Sequence, residues 1–139
     1  MTGAGVVGAD EAEVVRTATD LVKLLVTDRG DVQVTEYSSS DRDGPPPHTH
    51  RWHEIEYVIE GEVEFLLDGT WHRATAGDVQ VLPAGSSHSV RVPSGEARVL
   101  MVTVGAPYDG FARDLASLPE DATGADVVTA AARHGVELA

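Results

Sequence analysis

Apolar and polar residues alternate with a period of two through most of the chain between residues 21 and 104. Side chains at alternate positions of a strand share one face, so this pattern predicts half-buried strands. Turn-forming groups such as Asp68-Gly69 close each apolar run. The predicted strands are 21–26, 32–37, 55–60, 63–67, 71–74, 79–82, 88–92 and 97–104, with Glu60-Gly61 among the separators. Many short strands with frequent turns indicate an all-β sandwich or barrel.

The segments that flank these strands follow a different pattern. Residues 10–16 suit either a short helical turn or an edge segment, whereas the spacing in 108–118 and 126–134 predicts two helices, the second ended by Gly135. We therefore divide the chain into an N-terminal arm (1–20), a β-barrel (21–106) and a C-terminal helical extension packed on the barrel (107–139).

Composition narrows the classes of function. A chain of 139 residues fits one domain, and the absence of cysteine removes disulfides, thiol nucleophiles and thiolate metal ligands. A formal charge of −13, with Lys23 as the only lysine, argues against a nucleic-acid partner. Because no apolar run approaches about 20 residues and the N-terminus lacks a secretory pattern, we expect a cytoplasmic protein without a membrane partner.

Candidate metal ligands lie just ahead of a predicted strand. His48 and His50 are two positions apart and therefore share a face of an extended segment. Glu54 can join them where the chain re-enters a strand, and His88 is a fourth candidate. A set of imidazoles and carboxylate without thiolate suits Fe, Mn, Ni, Zn or Cu as a divalent ion, and affinity order does not choose among them.

The same residues resemble the two motifs of the cupin superfamily. His48-Thr49-His50, Glu54 and Gly61 match the spacing of the first motif, and Gly77, Pro83, Gly85 and His88 match the second. The 15 residues between the motifs, 62–76, are typical of a compact single-domain cupin. The sequence departs from the pattern at Arg42, where the first motif has Gly, and at Val92, where the second has Asn. Neither position is a metal ligand in the family.

The resemblance implies a double-stranded β-helix, or jelly-roll barrel, that holds one divalent transition-metal ion through His48, His50, Glu54 and His88. The chain is similar to the small quercetinase-like cupins, which implies a mononuclear metal-dependent dioxygenase. Cupins often pair, so a homodimer is expected. The alternatives are a metal-dependent cyclase or isomerase of polyketide-like substrates and a cupin that binds a small ligand without chemistry.

Strand parity identifies a second inward carboxylate. If Glu54 points into the barrel, Glu56 does so too, and an unpaired buried carboxylate is costly. Glu56 therefore either forms an ion pair with Arg73, Arg91 or Arg98, or acts with Glu54 as a catalytic group that accepts a proton.

The remaining candidates concern the lining of the barrel. Trp52 shares the parity of Glu54 and suits either the mouth or the core, whereas His53 has the opposite parity. His72 is expected on the surface or wall, and His134 near a helix C-terminus. An apolar lining is expected from Val58, Phe65, Leu67, Val79, Val81, Val90, Val99 and Met101, which implies a small, largely apolar oxygenated substrate.

Overall fold

The computed structural model describes residues 4–139. Within that range the chain forms ten strands and two helices. In chain order these are β1 (Glu13–Arg16), β2 (Asp20–Arg29), β3 (Val32–Ser39), β4 (His48–Thr49), β5 (His53–Leu67), β6 (Thr70–Thr75), β7 (Val79–Leu82), β8 (His88–Arg91), β9 (Ala97–Val104), α1 (Asp109–Ala116), α2 (Gly124–Ala132) and β10 (Glu137–Leu138). The first three residues of the predicted N-terminal arm lie outside the described part of the chain.

The strands form two antiparallel layers that share β5. One layer, sheet A, has the order β1-β2-β3-β9-β5-β7, and the other, sheet B, contains β6, β5, β8, β4 and β10. This arrangement is the predicted all-β jelly roll with short C-terminal helices. The predicted hairpin turn is also confirmed, because Asp68 (φ 49°) and Gly69 (φ 80°) connect β5 to β6 through two left-handed residues.

Strand β5 corrects one expectation from the sequence. Glu60-Gly61 does not separate two strands, because β5 runs unbroken through it and changes partners there. Its first half pairs with β7 and β9 and its second half with β6 and β8, and a bulge lies between Val58 and Glu60. The bulge shifts the inward positions by one residue, so that Glu54, Glu56 and Val58 precede it and Val63 and Phe65 follow it. Gly61, with φ of 85°, permits the bend.

The apolar core lies between the two layers. Val58, Phe65, Val99 and Met101 are buried there as expected, and Leu67 and Val90 pack against them while partly exposed. Val79 and Val81 are 54% and 63% exposed, so their assignment to the lining was wrong. The alternation in β7 places Gln80 and Leu82 inward instead.

An apolar strip, which we call the outer strip, follows from the same alternation on the outside of sheet A. Ile55 pairs with Val81 and Tyr57 pairs with Val79 across β5 and β7, and all four side chains are at least 42% exposed. Leu100 and Val102 extend the strip across β9, where they are partly buried. A flat apolar surface of this kind suits contact with another sheet.

The C-terminal segment is fixed to both layers. Helix α1 has no side-chain cap of its own, but the Gln33 carboxamide of β3 accepts hydrogen bonds from the backbone N–H groups of Tyr108 and Asp109. These donors would otherwise lack partners at the helix N-terminus. At the other end of the segment, β10 pairs with β4, Leu138 opposite His48. Among the described residues, no helix has the length and apolar character needed to cross a bilayer.

Candidate metal centre

Three strand segments position the four predicted ligands. His48 lies on β4 directly opposite His88 on β8, so their side chains share one face of sheet B. His50 follows β4 by one residue, and Glu54 is the second residue of β5. The antiparallel pairing of β4 with β8 therefore brings residues from the two distant motifs together in space.

The structure brings His50, Glu54 and His88 together most closely. One ligand atom from each lies within 4.8 Å of the other two, and all three residues are buried. The His48 ring is 4.5 Å from the His88 ring and 6.3 Å from the His50 ring, measured between centroids. It is more exposed than the other two imidazoles, and it lies at the margin of this three-residue group.

Backbone carbonyls fix the tautomer of each imidazole. The Nδ1 atoms of His48, His50 and His88 lie 2.9, 2.9 and 3.0 Å from the carbonyl oxygens of Pro46, Trp52 and Ser86. A carbonyl oxygen only accepts, so Nδ1 carries the proton and Nε2 presents its lone pair. This is the arrangement that metal-bound histidines have.

Burial keeps these imidazoles neutral. It lowers the pKa of His48 and His50 below the ordinary value and lowers the pKa of His88 to about 4. The Nε2 atom of His50 is buried without a hydrogen-bond partner, although Glu54 Oε1 lies 3.3 Å away. Neutral imidazoles with unused lone pairs, together with a carboxylate, fit a divalent transition-metal ion.

Trp52 contacts two of the predicted ligands, His50 and Glu54. It is 1% exposed, its ring stacks on His50 at 4.4 Å, and its Nε1 donates a 3.0 Å hydrogen bond to Glu54 Oε1. The rings of Tyr108 and Phe111 in the C-terminal segment also lie near it, at 5.6 and 6.2 Å between ring centroids. Of the two expectations for Trp52, packing beneath the site agrees with this burial.

Glu56 forms no ion pair with arginine, and that expectation was wrong. Its Oε1 accepts a hydrogen bond of 2.5 Å from the Tyr37 hydroxyl, and its Oε2 accepts one of 2.9 Å from Gln80 Nε2. The three candidate arginines lie on outward-facing positions, where exposed carboxylates are available. Their partners are Glu62 for Arg73, Glu64 for Arg91, and Glu36 and Glu60 for Arg98.

The two inward carboxyl groups are neighbours. Glu54 and Glu56 lie two positions apart on β5, and both are buried on its inner face. Burial raises the pKa of Glu54, and burial together with the charge of Glu54 raises the pKa of Glu56 well above its usual range. Two adjacent buried carboxylates repel each other when both are ionised, which favours the protonated form of one of them.

Two tyrosines near these carboxyl groups were missed in the sequence. Burial, followed by the neighbouring charge of Glu56, raises the pKa of Tyr37 well above 10, which keeps it a hydrogen-bond donor. Burial and the charge of Glu54 also raise the pKa of Tyr108. Tyr37 has the inward parity of β3 and was therefore discoverable, whereas Tyr108 depends on the packing of α1 against the barrel.

The inner face around the carboxyl groups is more polar than expected. Buried polar side chains there include Gln33, Thr35, Gln80 and Thr103, which occupy inward positions of β3, β7 and β9. The sequence pattern predicts an apolar lining and does not indicate these amides and hydroxyls. The lining close to the site is thus mixed. The apolar residues lie mainly on sheet B and on the part of sheet A that is away from the site.

The other histidines lie outside the group. His53 is exposed, in agreement with its parity, and its Nδ1 accepts a hydrogen bond from the Ala84 N–H at 3.0 Å. His72 is exposed on β6. His134 follows α2, and its Nε2 lies 2.6 Å from Asp114 Oδ2 of the neighbouring helix α1, so its partner is a carboxylate and not only the helix terminus.

Comparison with known proteins finds a domain family that matches most of the barrel. The family model described as "Cupin domain" matches residues 39–104. Quercetin 2,3-dioxygenase of Bacillus subtilis is 32% identical over 89 residues, which cover 55% of this chain and 26% of that protein. The chain therefore spans about a quarter of the length of this curated relative.

Solved structures share the fold. An RmlC-like cupin from Shewanella frigidimarina superposes with a TM-score of 0.67 and 19% identity, covering 77% of this chain and 96% of that one. The polyketide cyclase RemF from Streptomyces resistomycificus gives a TM-score of 0.61 and 25% identity, covering 73% and 80%.

The Tyr37 hydrogen bond can be tested through stability. Tyr37→Phe leaves a buried oxygen of Glu56 without its donor, so the free energy of unfolding of metal-free protein should fall by about 1–3 kcal/mol in urea titrations. Tyr57→Phe is the matched control, because Tyr57 is 44% exposed on the outer face and its change should stay within about 0.5 kcal/mol. Equal losses in the two variants would contradict the role given to Tyr37.

Proposed function

Because the chain belongs to the cupin superfamily, we propose that His48, His50, Glu54 and His88 hold one divalent transition-metal ion in an enzyme active site. The reaction we propose is that of a mononuclear metal-dependent dioxygenase acting on a small oxygenated organic substrate. Glu56, beside this site, acts in proton transfer.

One observation carries the proposal. Three imidazole rings lie close together, and the Nδ1 proton of each is hydrogen-bonded to a backbone carbonyl. The Nε2 atom of His50 is buried and has no hydrogen-bond partner. A structural role would favour apolar side chains here, because buried polar atoms without partners are costly. A divalent ion of Fe, Mn, Ni, Zn or Cu would be the missing partner for the lone pairs of the Nε2 atoms.

His48 is the fourth proposed ligand, and its strand is held in place on both edges. Strand β4 pairs with β8 on one side and with β10 on the other, and the N–H of Ala139 donates a 3.0 Å hydrogen bond to the Pro47 carbonyl. The ring therefore has a fixed backbone but greater solvent exposure than the other imidazoles. We propose it as the ligand nearest the route by which the ion enters.

The proton chemistry follows from the environment of Glu56. When bound, the metal ion would act as a Lewis acid toward a substrate hydroxyl and make that hydroxyl more acidic. Glu56, which would be ionised with a cation beside Glu54, would then accept the substrate proton. Tyr37 and Gln80 hold the Glu56 carboxyl group in place through its two oxygens.

Two classes of chemistry fit such a site. The match to a quercetin dioxygenase supports reaction with dioxygen. The paired carboxyl groups also favour a second candidate, a cyclase or isomerase that needs only a Lewis acid and a proton carrier, and the likeness to a polyketide cyclase at 25% identity supports it. A cupin that binds a ligand without chemistry would not need a buried carboxyl group held by Tyr37 and Gln80.

Metal content tests the ligand set. Purified wild-type protein should contain close to one transition-metal ion per chain by elemental analysis, and His50→Ala and His88→Ala should lose most of it, because removing a ligand leaves an incomplete coordination sphere. His48→Ala should weaken binding to a smaller degree. His72→Ala is the control, since His72 is exposed on β6 and should keep the ion. Full metal content in both His50→Ala and His88→Ala would refute the assignment.

Turnover tests the role of Glu56 and the type of reaction. Glu56→Gln keeps the shape and one acceptor but cannot take up a proton, so kcat should fall by about 10²–10⁴-fold while metal content is unchanged. Oxygen uptake in a screen of flavonols, diketones and catechols distinguishes a dioxygenase from a cyclase or isomerase, which converts substrate without consuming oxygen. Undiminished turnover in Glu56→Gln would remove this residue from the mechanism.

We also propose that two copies associate through the outer strip. Its exposed side chains Ile55, Tyr57, Val79 and Val81 carry no charge, whereas the chain as a whole carries −13. Two strongly acidic copies repel each other least where an uncharged surface faces another. Sheets pack face to face through such alternating apolar positions, and a two-fold axis lets each strip contact its own copy.

Sedimentation velocity tests this association. Val81→Glu places a charge at the most exposed of the four strip positions, twice in a two-fold dimer, and should raise the dimer dissociation constant by about a hundredfold or more. Val14→Glu is the control, because Val14 is 47% exposed on the distant edge strand β1 and should leave the dimer intact. A wild-type protein that sediments as a monomer at all concentrations would refute the proposal.

A further inference from the structure

We propose that Trp52 is a positioning residue for His50 and Glu54, and that the C-terminal segment, residues 107–139, raises the affinity for the metal ion by holding Trp52 in place. This inference rests on the proposed function, because it concerns the same ion. It extends that function to a part of the chain beyond residue 104, where the matched family domain ends.

Trp52 contacts both ligands through three different groups. Its carbonyl oxygen accepts a hydrogen bond of 2.9 Å from His50 Nδ1, and its ring stacks on the His50 imidazole at 4.4 Å with 12° between the planes. Its Nε1 donates a hydrogen bond of 3.0 Å to Glu54 Oε1. One residue therefore constrains an edge and a face of the imidazole and one oxygen of the carboxylate.

The two ligands need such a constraint because their outermost torsion angles are soft. The last torsion of a histidine or glutamate side chain is broad, so the backbone alone does not fix where Nε2 or the carboxylate oxygens point. With Trp52 in place, Glu54 Oε1 lies 3.3 Å from His50 Nε2, and both atoms face one region. Groups that orient metal ligands in this way change the affinity for the ion.

The surroundings of Trp52 come largely from the C-terminal segment. Trp52 is 1% exposed, yet among the described residues the buried apolar cluster between the two layers does not include it. The rings of Tyr108 and Phe111 lie beside it instead, and these two rings are 6.1 Å from each other. Loss of these neighbours would expose the indole and leave it free to turn.

Helix α1 is attached to the barrel independently of Trp52. The Gln33 carboxamide accepts from the N–H groups of Tyr108 and Asp109, and Arg113 forms an ion pair of 2.9 Å with Glu13 of β1. These contacts hold the helix against sheet A at positions away from the ligands. The helix therefore serves as a fixed support for the aromatic rings that lie beside Trp52.

The last residues of the segment contact the loop that carries the first-motif histidines. A Cβ atom on Gly135 would overlap the guanidinium of Arg51, so the backbone passes close beneath that side chain. Leu138 pairs with His48, and the Ala139 N–H donates to the Pro47 carbonyl at 3.0 Å. Coupling between two binding events is reciprocal, so an ion held by these ligands should also stabilise docking of the segment.

The Ni²⁺ affinity of the full chain, measured by competition with a chromogenic chelator, tests the role of Trp52. Trp52→Phe keeps a ring beside His50 and removes the indole N–H, so the dissociation constant for Ni²⁺ should rise by about 10- to 100-fold. Trp71→Phe is the matched control, because Trp71 lies on the outer face of sheet B, where Arg91 covers it at 3.8 Å. This variant should bind Ni²⁺ as the wild type does.

A second pair of variants tests the C-terminal segment. Phe111→Ala removes a ring beside Trp52 without changing a ligand, and the dissociation constant for Ni²⁺ should rise by about fivefold or more. Val128→Ala is the control, because Val128 is 45% exposed on α2 and should leave the affinity unchanged.

Hydrogen exchange measures the reciprocal effect. Ni²⁺ should slow amide exchange in residues 108–139 of the wild type more than in the hairpin at 68–75, where β6 pairs with β5 at the edge of sheet B. The additional slowing in 108–139 should be lost in Trp52→Phe. Equal slowing of the two regions in the wild type would contradict the coupling.

The outcomes separate this inference from the proposed function. Unchanged Ni²⁺ affinity in Trp52→Phe would overturn the inference alone, and a lower free energy of unfolding in that variant would then show that Trp52 only packs. A loss of affinity in Trp52→Phe but not in Phe111→Ala would overturn the role of the C-terminal segment. Wild-type protein that binds no Ni²⁺ would overturn the proposed function and this inference together.

Discussion

The shared strand β5 is the constraint on which the rest of the structure depends. Its first half belongs to sheet A and its second half to sheet B, so one continuous backbone defines how the two layers meet. At Gly61 the backbone passes so close to its neighbour that a Cβ atom would lie 2.5 Å from the carbonyl oxygen of Glu96. Only glycine combines that approach with the positive φ of the bend. Both inward carboxyl groups lie just before this bend, which fixes their direction relative to the imidazoles of sheet B.

Burial of so many polar groups in a small barrel has an energetic cost that the structure offsets only in part. Carbonyls satisfy one nitrogen of each imidazole, and Trp52, Tyr37 and Gln80 donate to the carboxyl groups. The remaining lone pairs do not contribute to the stability of the free protein. A molecule or ion that binds the folded state through them shifts the folding equilibrium toward that state. The free protein is therefore less stable because of these lone pairs, and the same lone pairs give the site its affinity for the ion or molecule that it binds.

Much of the fold was predictable because alternation and turn chemistry act locally. The eight strand segments, the Asp68-Gly69 hairpin and the two helices follow from short-range patterns, and the inward parity of Glu54 and Glu56 follows from period two. The continuity of β5 through Gly61 was not predictable in this way, because glycine signals a turn and a bulge equally well. The partners of Glu56 depend on register between β3, β5 and β7, which no local pattern specifies. Similarly, Val79 and Val81 have strand character, but only the pairing of β7 decides which face is buried.

The pairing of β10 with β4 has a consequence for the order in which the protein acquires its structure. Leu138 lies opposite His48, and this contact spans most of the chain, whereas His50, Glu54 and His88 are all fixed by strands β4 to β9. Contacts between distant residues form late, because a long loop must close before they contribute. On a ribosome, residue 138 is synthesised long after the barrel strands. The barrel can therefore bring the four side chains together first, through the pairing of β4 with β8, and β10 then covers the other edge of β4.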